Sequence, residues 1–269
     1  MPIPSKLPTP PVSQQSTRRV SFESVKPVSA NRIVIYGTGG IGKTTLALKL
    51  PGRTAFIDAD ASLGKLEDAS AGLTRAVARV PVSSWQDARN ALSASGWDGI
   101  DNIVVDTATE LQKLLTKHVI ENVPKEKGGK ATGILDYGFG KGYRHLFDHF
   151  LYLLSDLDAH YRAGRTVVLV CHETPSKVPN PAGEEYIRWE PDLLKTANES
   201  IRDRVKSWAD YVLFLSYDIA VKDGKAAGCG TRTLYTDELP YFMAKSRGYH
   251  GSIAIPDNEF NPWPVLCCK

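Results

Sequence analysis

The sequence is poor in cysteine and contains no long hydrophobic run. No pair among its four cysteines has the C-x-x-C spacing of a zinc or redox site; they are Cys171, Cys229, Cys267 and Cys268. The longest apolar runs, such as 166–171 and 211–215, have the length of a strand and are too short to span a bilayer. These absences favour a reducing, cytoplasmic compartment and no association with a membrane.

A strong charge of either sign is also absent. The 33 lysines and arginines are balanced by 30 aspartates and glutamates, which gives a net charge of +3. So mild an excess does not indicate nucleic-acid binding by the chain as a whole, and any basic surface must be local. Hydrophobic residues make up 42% of the chain, which is enough for the core of one large domain.

The chain divides into an arm, a folded domain and a tail. Residues 1–30 are rich in proline and serine and show neither a helical nor a strand period, which predicts a disordered N-terminal arm. From residue 31 onwards short apolar runs alternate with helical stretches, a pattern typical of a mostly parallel sheet flanked by helices. We expect this α/β domain to cover 31–261 and a C-terminal tail to cover 262–269.

Five buried strands and a later hairpin are predicted within the domain. The apolar runs predict strands at 32–36, 54–57, 102–105, 166–171 and 211–216. Helices are predicted at 43–50, at 85–93 and over the amphipathic stretch 146–161. Residues 219–243 favour an antiparallel hairpin that turns at 223–225. Two stretches, 124–143 and 174–190, interrupt the pattern and are predicted to be long loops, which are often functional or mobile.

The segment between the first strand and the first helix has the pattern of a phosphate-binding loop. It reads Gly37-Thr38-Gly39-Gly40-Ile41-Gly42-Lys43-Thr44, with Thr45 next. Its glycines let backbone N–H groups converge on phosphate oxygens, and strand, loop and helix follow each other as this motif requires. Lys43 is expected to reach the β- and γ-phosphates, and the Thr44 hydroxyl is expected to bind Mg²⁺. The loop therefore predicts a site for a nucleoside triphosphate with Mg²⁺.

Polar residues that follow the other strands complete this predicted site. Asp106 ends the apolar run 103–105, where a carboxylate can be the second protein ligand of Mg²⁺. Asp58 and Asp60 both leave the second strand beside the loop, and either can be the base that activates water. Asp60 is preferred because it lies further beyond the strand. His172 follows the fourth strand directly and is a candidate sensor of the γ-phosphate, although a strand-end histidine is by default a surface residue.

The order of these motifs resembles that of the RecA-type ATPase core. The motifs occupy 37–44, 56–60, 103–106 and 168–173. Within this group the chain resembles phage-encoded nucleotide-binding proteins with an AAA domain, some of which are single-strand annealing or recombination ATPases. The resemblance implies ATP as the nucleotide, hydrolysis with Asp60 as the base, and a role in phage DNA recombination, annealing or replication. RecA itself has Glu at the position of Asp60 and Gln at that of His172.

The resemblance also implies an active site that is shared between subunits. Lys245-Ser246-Arg247 resembles the Lys-x-Arg pair by which RecA- and KaiC-like assemblies reach the γ-phosphate of the neighbouring subunit. Cations supplied in this way stabilise charge on the transferring phosphoryl group. We therefore expect self-association into a ring or filament, with a single-strand binding protein as a further partner. A solvated basic turn is the alternative explanation of these residues.

The stretch 124–143 combines cations with aromatic rings. Cations bind phosphates and rings stack on bases, which is what the binding of single-stranded DNA requires. Both long stretches also fall where RecA-type proteins have their DNA-binding loops. The candidate DNA-binding residues are Lys127, Lys130, Tyr137, Phe139, Lys141, Tyr143 and Arg144. A solubilising loop with incidental aromatic residues is the alternative.

Other classes of P-loop protein fit the sequence less well. ParA-like partition ATPases have a signature lysine where this chain has Thr38, and signalling NTPases usually have a second acid where it has Thr107. A small-molecule kinase would need a second substrate motif, and none is evident. The main alternative is a nucleotide-dependent oligomeric module that regulates a phage packaging or replication partner, with little hydrolysis and no direct DNA binding.

Overall fold

The computed structural model describes residues 29–61, 63, 78–126, 128–222 and 225–267. Nearly all of the predicted N-terminal arm lies outside the described residues, and so do Lys127, the predicted turn at Asp223-Gly224 and Cys268. Within the described ranges an eight-stranded sheet lies between two layers of helices, and two further strands pair as a separate sheet.

The large sheet is mostly parallel, with antiparallel strands at one edge. In chain order the strands are β1 (Arg32–Tyr36), β2 (Thr54–Asp58), β3 (Ala78–Pro81), β4 (Asn102–Asp106), β5 (Thr166–Cys171), β6 (Glu173–Val178), β7 (Tyr186–Pro191), β8 (Tyr211–Lys222), β9 (Lys225–Tyr235) and β10 (Ser252–Ile255). Their order in the large sheet is β10-β9-β8-β1-β5-β4-β2-β3, and all pairs from β8 to β3 are parallel. The pairs β8–β9 and β9–β10 are antiparallel. The predicted mostly parallel sheet with a C-terminal antiparallel hairpin is confirmed.

Helices cover both faces of this sheet. In the described ranges they are α1 (Lys43–Leu48), α2 (Trp85–Ser93), α3 (Ala108–Asn122), α4 (Lys141–Arg162), α5 (Ile201–Trp208) and α6 (Trp263–Cys267). Helices α2 to α5 pack on one face, and α1 and α6 pack on the other. None of the helices in these ranges is long and apolar enough to cross a membrane.

The alternation of side chains along the strands produces two separate cores. In β1, Val34 and Tyr36 belong to the core beneath α2 to α5, whereas Ile33 and Ile35 belong to the core beneath α1 and α6. All four side chains are fully buried, as expected of a strand that is covered on both faces. Because the central strands are parallel, their carboxyl ends meet at one edge of the sheet, and the residues predicted for the nucleotide site follow them there.

The stretch 174–190 is a hairpin and not the predicted loop. Strands β6 and β7 pair in one continuous antiparallel register. Glu190 in β7 is fully buried, where it accepts hydrogen bonds from Arg188 beside it and from Arg202 in α5. This buried ion cluster holds the polar hairpin against α5, while Ile187 and Trp189, at the alternate positions of β7, are exposed.

The stretch 124–143 is also more ordered than predicted. It contains a 3₁₀ helix at Ile134–Tyr137, and α4 begins at Lys141 within it. The Tyr137 hydroxyl lies 2.7 Å from the carbonyl oxygen of Val119 and 2.8 Å from that of Val123, at the end of α3, and can donate its one proton to either. The hydroxyl therefore joins the 3₁₀ helix to the end of α3, where the Val119 carbonyl oxygen also accepts from the N–H of Val123.

The predicted boundary before a C-terminal tail is not a break in the packing. Trp263 and Leu266 of α6 are buried, and the Trp263 indole N–H donates to the carbonyl oxygen of Leu46 in α1 at 2.7 Å. Residues 262–267 therefore belong to the folded core. They support the helix that follows the phosphate loop.

Candidate functional site

The phosphate loop lies at the carboxyl end of β1 and leads directly into α1. Gly40 and Gly42 have φ values of 76° and 103°, in the left-handed region that residues with a side chain rarely adopt. Gly37 is constrained differently, since a Cβ atom there would lie 2.2 Å from the carbonyl oxygen of Leu215 in β8. The glycines are therefore required by backbone conformation and by close packing.

The side chain of Lys43 is buried inside the loop. Its ammonium group donates hydrogen bonds to the carbonyl oxygens of Gly37 (2.9 Å) and Thr38 (2.8 Å). Burial lowers the pKa of Lys43, and the negative charge of Asp106 opposes this effect. The loop thus holds a cation at its centre.

A hydrogen bond joins the loop to the strand that carries Asp106. The Thr44 hydroxyl donates to Oδ2 of Asp106 at 2.7 Å. Because β5 lies between β1 and β4 in the sheet, the start of α1 extends across the end of β5 to make this contact. The two residues predicted to bind Mg²⁺ are therefore adjacent in the structure.

Asp106 is buried, and one of its two carboxylate oxygen atoms has no partner among the described residues. The residue is 1% exposed, and its Oδ1 has no hydrogen-bond partner among the described residues. Burial raises the pKa of this carboxyl group to about 6. The hydrogen bond from Thr44 lowers this pKa, whereas the negative charges of Asp60 and Asp58 raise it further. A buried carboxylate oxygen without a partner is costly unless a cation binds it.

The donors around Asp106 fit Mg²⁺ bound together with a nucleotide. In such sites Mg²⁺ keeps one or two protein ligands and takes the rest from phosphates and water. Thr44 and Asp106 supply one hydroxyl and one carboxylate beside the loop. The described residues contain no group of three or more histidine, cysteine, aspartate or glutamate side chains that could hold a metal without a nucleotide.

The two aspartates at the end of β2 differ in their surroundings. Asp58 is buried, lies in register with Asp106 on the neighbouring strand, and accepts a 2.6 Å hydrogen bond from Nε of Arg79. Asp60 is exposed, beyond the end of the strand, and its negative charge acts on Lys43 and on Asp106. The structure places Asp60 in the same site as Lys43, whereas Asp58 forms an ion pair with Arg79.

His172 is held by its backbone at the end of β5. Its N–H donates to the Thr109 hydroxyl at 3.0 Å, and its carbonyl oxygen accepts from the N–H of Asp192 at 2.8 Å. The ring is half-buried, and burial, together with the charge of Lys43, lowers its pKa. The imidazole is therefore uncharged at neutral pH, near the cation of the loop.

The structure adds two residues that the sequence analysis did not assign to the site. Glu173 is half-buried near Lys43, and burial raises its pKa. Arg232 in β9 donates from Nη1 to the carbonyl oxygen of Ile41, within the loop, at 2.8 Å. The position of Glu173 next to His172 is a signal that could have found it. Nothing around Arg232 in the sequence indicates that it reaches the loop.

Lys245 and Arg247 lie at the opposite end of the sheet from the loop of their own chain. Lys245 is bridged to Val212, near the start of β8, and its ammonium group donates to the carbonyl oxygens of Lys206 (3.0 Å) and Ala209 (2.5 Å) at the end of α5. The side chain of Arg247 is 62% exposed and lies 3.4 Å from a carboxylate oxygen of Asp210. Lys245 thus caps α5 within its own chain, and Arg247 is the more accessible cation.

Most of the candidate DNA-binding residues already have partners in the chain. Besides Tyr137, the residues with such contacts are Lys141, paired with Glu126; Tyr143, packed against the core; and Arg144, paired with Asp148 and Glu199. Lys130 and Phe139 are exposed, Phe139 fully. Lys127 lies outside the described residues.

A comparison with protein families identifies the class of protein to which this site belongs. A family model described as an AAA domain matches residues 29–248. The chain belongs to this AAA domain family. The match covers the phosphate loop, Asp106 and His172, and membership implies nucleotide binding by an α/β P-loop ATPase fold. No curated protein matches the sequence.

We predict that Asp106→Asn stabilises the nucleotide-free AAA domain at neutral pH. The folded-state pKa of Asp106 is raised from 3.8 to about 6, so its contribution to stability is present at acid pH and is lost as the pH rises through that value. Asparagine is uncharged at any pH and can still accept from Thr44. The gain in the free energy of unfolding should be about 1–3 kcal/mol at neutral pH and should vanish below the ordinary pKa of aspartate.

Urea denaturation of the wild type and of Asp106→Asn, at neutral pH and at a pH below the ordinary pKa of aspartate, measures the difference in their free energies of unfolding. Asp98→Asn, at an exposed aspartate, is the matched control and should leave the stability unchanged at both. A stability of Asp106→Asn equal to that of the wild type at neutral pH would contradict the assigned cost of the buried carboxylate.

Proposed function

We propose that the protein binds ATP with Mg²⁺ and hydrolyses it. The observation that carries this proposal is the 2.7 Å hydrogen bond between Thr44 and Asp106, beside a loop that holds Lys43 at its centre. Backbone N–H groups of residues 37–45 bind the phosphates, and Thr44 and Asp106 hold the metal. When bound, Mg²⁺ neutralises negative charge on the phosphates.

The roles of the other residues follow from their positions. Lys43 places its positive charge against the β- and γ-phosphates. Asp60 is the proposed base: it accepts a proton from the water that attacks the γ-phosphorus, and ADP leaves with the bridging oxygen. His172 is the proposed sensor of the γ-phosphate, since its backbone is bonded both to Thr109 of α3 and to Asp192 after β7.

Binding of single-stranded DNA is proposed for a smaller surface than the sequence indicated. Phe139 has a φ of 47° between two glycines and a fully exposed ring, so the backbone presents this ring to solvent. Lys130 in the same stretch is exposed as well. An exposed ring and an exposed cation in one stretch are suited to stacking on a base and binding a phosphate. If the protein binds single-stranded DNA in this way, the role that we propose for it is RecA-like, in phage DNA recombination, annealing or replication.

A site shared between subunits is proposed mainly on Arg247. Its guanidinium group is exposed at the end of the sheet opposite to its own loop, so only the nucleotide of a neighbouring subunit in a ring or filament is within its reach. Lys245, the other residue of the pair, would have to leave the end of α5 to take part.

We predict that Lys43→Ala lowers ATP turnover by about 100-fold or more, because the charge of the transferring phosphoryl group then lacks its nearest protein cation. Steady-state release of phosphate measures the rate. Lys113→Ala removes an exposed lysine on α3 and should leave turnover unchanged. A wild-type protein that binds ATP but releases no phosphate would instead favour the regulatory module with little hydrolysis.

We predict that Phe139→Ala weakens the binding of a labelled single-stranded oligonucleotide about tenfold, since stacking on one ring contributes about 1–3 kcal/mol. Tyr152→Ala removes another exposed aromatic ring, on α4, and serves as the control. Binding should also weaken as salt rises, and the oligonucleotide should increase ATP turnover. Absence of both salt-sensitive binding and stimulation would refute the proposed role with DNA.

We predict that Arg247→Ala abolishes turnover and that mixing it with Lys43→Ala restores part of it. In a random equimolar mixture about one quarter of the interfaces join an intact loop to an intact Arg247. The mixture should therefore reach about a quarter of the wild-type rate. Arg204→Ala, at an exposed arginine of α5, should keep full activity. Wild-type turnover by Arg247→Ala alone would remove the shared-site proposal.

A further inference from the structure

We infer that Arg232 is a positioning residue that holds the phosphate loop in its nucleotide-binding conformation. The inference rests on the proposed binding of a nucleotide and adds to it a residue of the C-terminal hairpin. Arg232 is 191 positions away in the sequence from Ile41, whose carbonyl oxygen it binds at 2.8 Å. A hydrogen bond from a guanidinium group to a carbonyl is stronger than one between two neutral groups.

This bond fixes the orientation of one peptide unit in the loop. Ile41 lies between Gly40 and Gly42, whose left-handed backbone leaves the chain on both sides free of side-chain constraints. In a trans peptide the carbonyl oxygen and the following N–H point in opposite directions. Holding the oxygen of Ile41 towards Arg232 therefore directs the N–H of Gly42 to the other side of the loop, and a phosphate loop binds its ligand through such N–H groups.

The loop is shaped to receive the guanidinium group. A Cβ atom at residue 42 would lie 2.7 Å from Nη1 of Arg232. The φ of 103° at Gly42 already disfavours a side chain, and a side chain there would also displace the guanidinium group of Arg232 from Ile41. This fit distinguishes the contact from a chance encounter of a surface arginine with a carbonyl group.

Arg232 is itself fixed by the sheet. It lies in β9 and is in register with Tyr217 of β8 on one side and Ile255 of β10 on the other. The helix after the loop is tied to the same C-terminal region, since Lys49 donates to the carbonyl oxygen of Phe260 at 2.7 Å. The C-terminal segment thus holds the loop through Arg232 and the end of α1 through Lys49.

The position of this contact predicts a specific effect on binding. Without Arg232 the peptide between Ile41 and Gly42 can rotate, and only part of the molecules then present converging N–H groups. The apparent affinity falls in proportion to the share of molecules that keep the binding conformation. We expect this share, and with it the affinity, to fall about tenfold. Since the bond acts on the loop and not on the γ-phosphate, ADP and ATP should be weakened by the same factor.

The test compares Arg232→Ala with Arg165→Ala. Arg165 also donates to a backbone carbonyl, that of Trp97 at 3.0 Å, but lies at the opposite end of the sheet. Calorimetric titration with ADP and with a non-hydrolysable ATP analogue, both with Mg²⁺, gives the two affinities. Hydrogen exchange of the amides of residues 38–46, without nucleotide, gives the order of the loop. Circular dichroism confirms that each variant is folded, and Arg232→Lys tests partial rescue.

We expect Arg232→Ala to bind both nucleotides about tenfold more weakly and to exchange its loop amides faster. Arg165→Ala should change neither, and Arg232→Lys should lie between Arg232→Ala and the wild type.

Unchanged affinities, or unchanged exchange in the loop, would overturn the inference. A loss confined to the ATP analogue would also overturn it, because Arg232 would then contact the γ-phosphate. A wild-type protein that binds neither nucleotide would refute the proposed function, while the exchange measurement would still test whether Arg232 orders the loop.

Discussion

The contact between Thr44 and Asp106 is the interaction on which the rest of the site depends. It places the start of α1 over the end of β5, and so brings together residues that follow three different strands. The same contact gives the buried carboxylate of Asp106 one partner, while its other oxygen has none among the residues that the structure describes. The nucleotide-free protein is therefore less stable than a variant with an uncharged residue at position 106 would be. A cation bound to the carboxylate recovers that loss of stability. This loss of stability is the cost of a buried carboxylate oxygen that is available to a cation.

The core of the site could be predicted from the sequence because it consists of residues at the ends of buried strands. An apolar run marks a central parallel strand, and the first polar residue after it lies at the shared carboxyl edge of the sheet. This reasoning finds the phosphate loop, Asp106 and His172 without any knowledge of their contacts. It prefers Asp60 to Asp58 only by its position beyond the strand. The ion pair of Asp58 with Arg79 on the neighbouring strand β3 exists only in the folded sheet, so the sequence does not reveal it.

The remaining differences have three causes. Contacts between distant segments carry no local pattern: Arg232 reaches the loop through the pairing of β8 with β9, and the β6–β7 hairpin depends on Arg202 from α5. Composition alone also does not show which side chains are available, since Tyr137, Lys141 and Arg144 are residue types that bind DNA but contact their own chain here. Helix α3 is not among the predicted helices, although its signals are in the sequence: the Thr107 hydroxyl caps it by accepting from the N–H of Glu110, and Leu111, Leu115 and Val119 repeat every four residues.

Gly37 shows that a motif residue need not be retained for the ligand that the motif binds. A side chain there would collide with the backbone of β8 and force apart two neighbouring strands at the centre of the sheet. Lys43 is different, since its side chain bonds within the loop and its replacement would leave the pairing of β1 with β8 unchanged. In a descendant of this protein that had abandoned nucleotide binding, the later positions of the loop would be free to diverge while the first glycine persisted. A glycine retained at that position therefore reflects the packing of β1 against β8 and says little about whether the loop still binds a nucleotide.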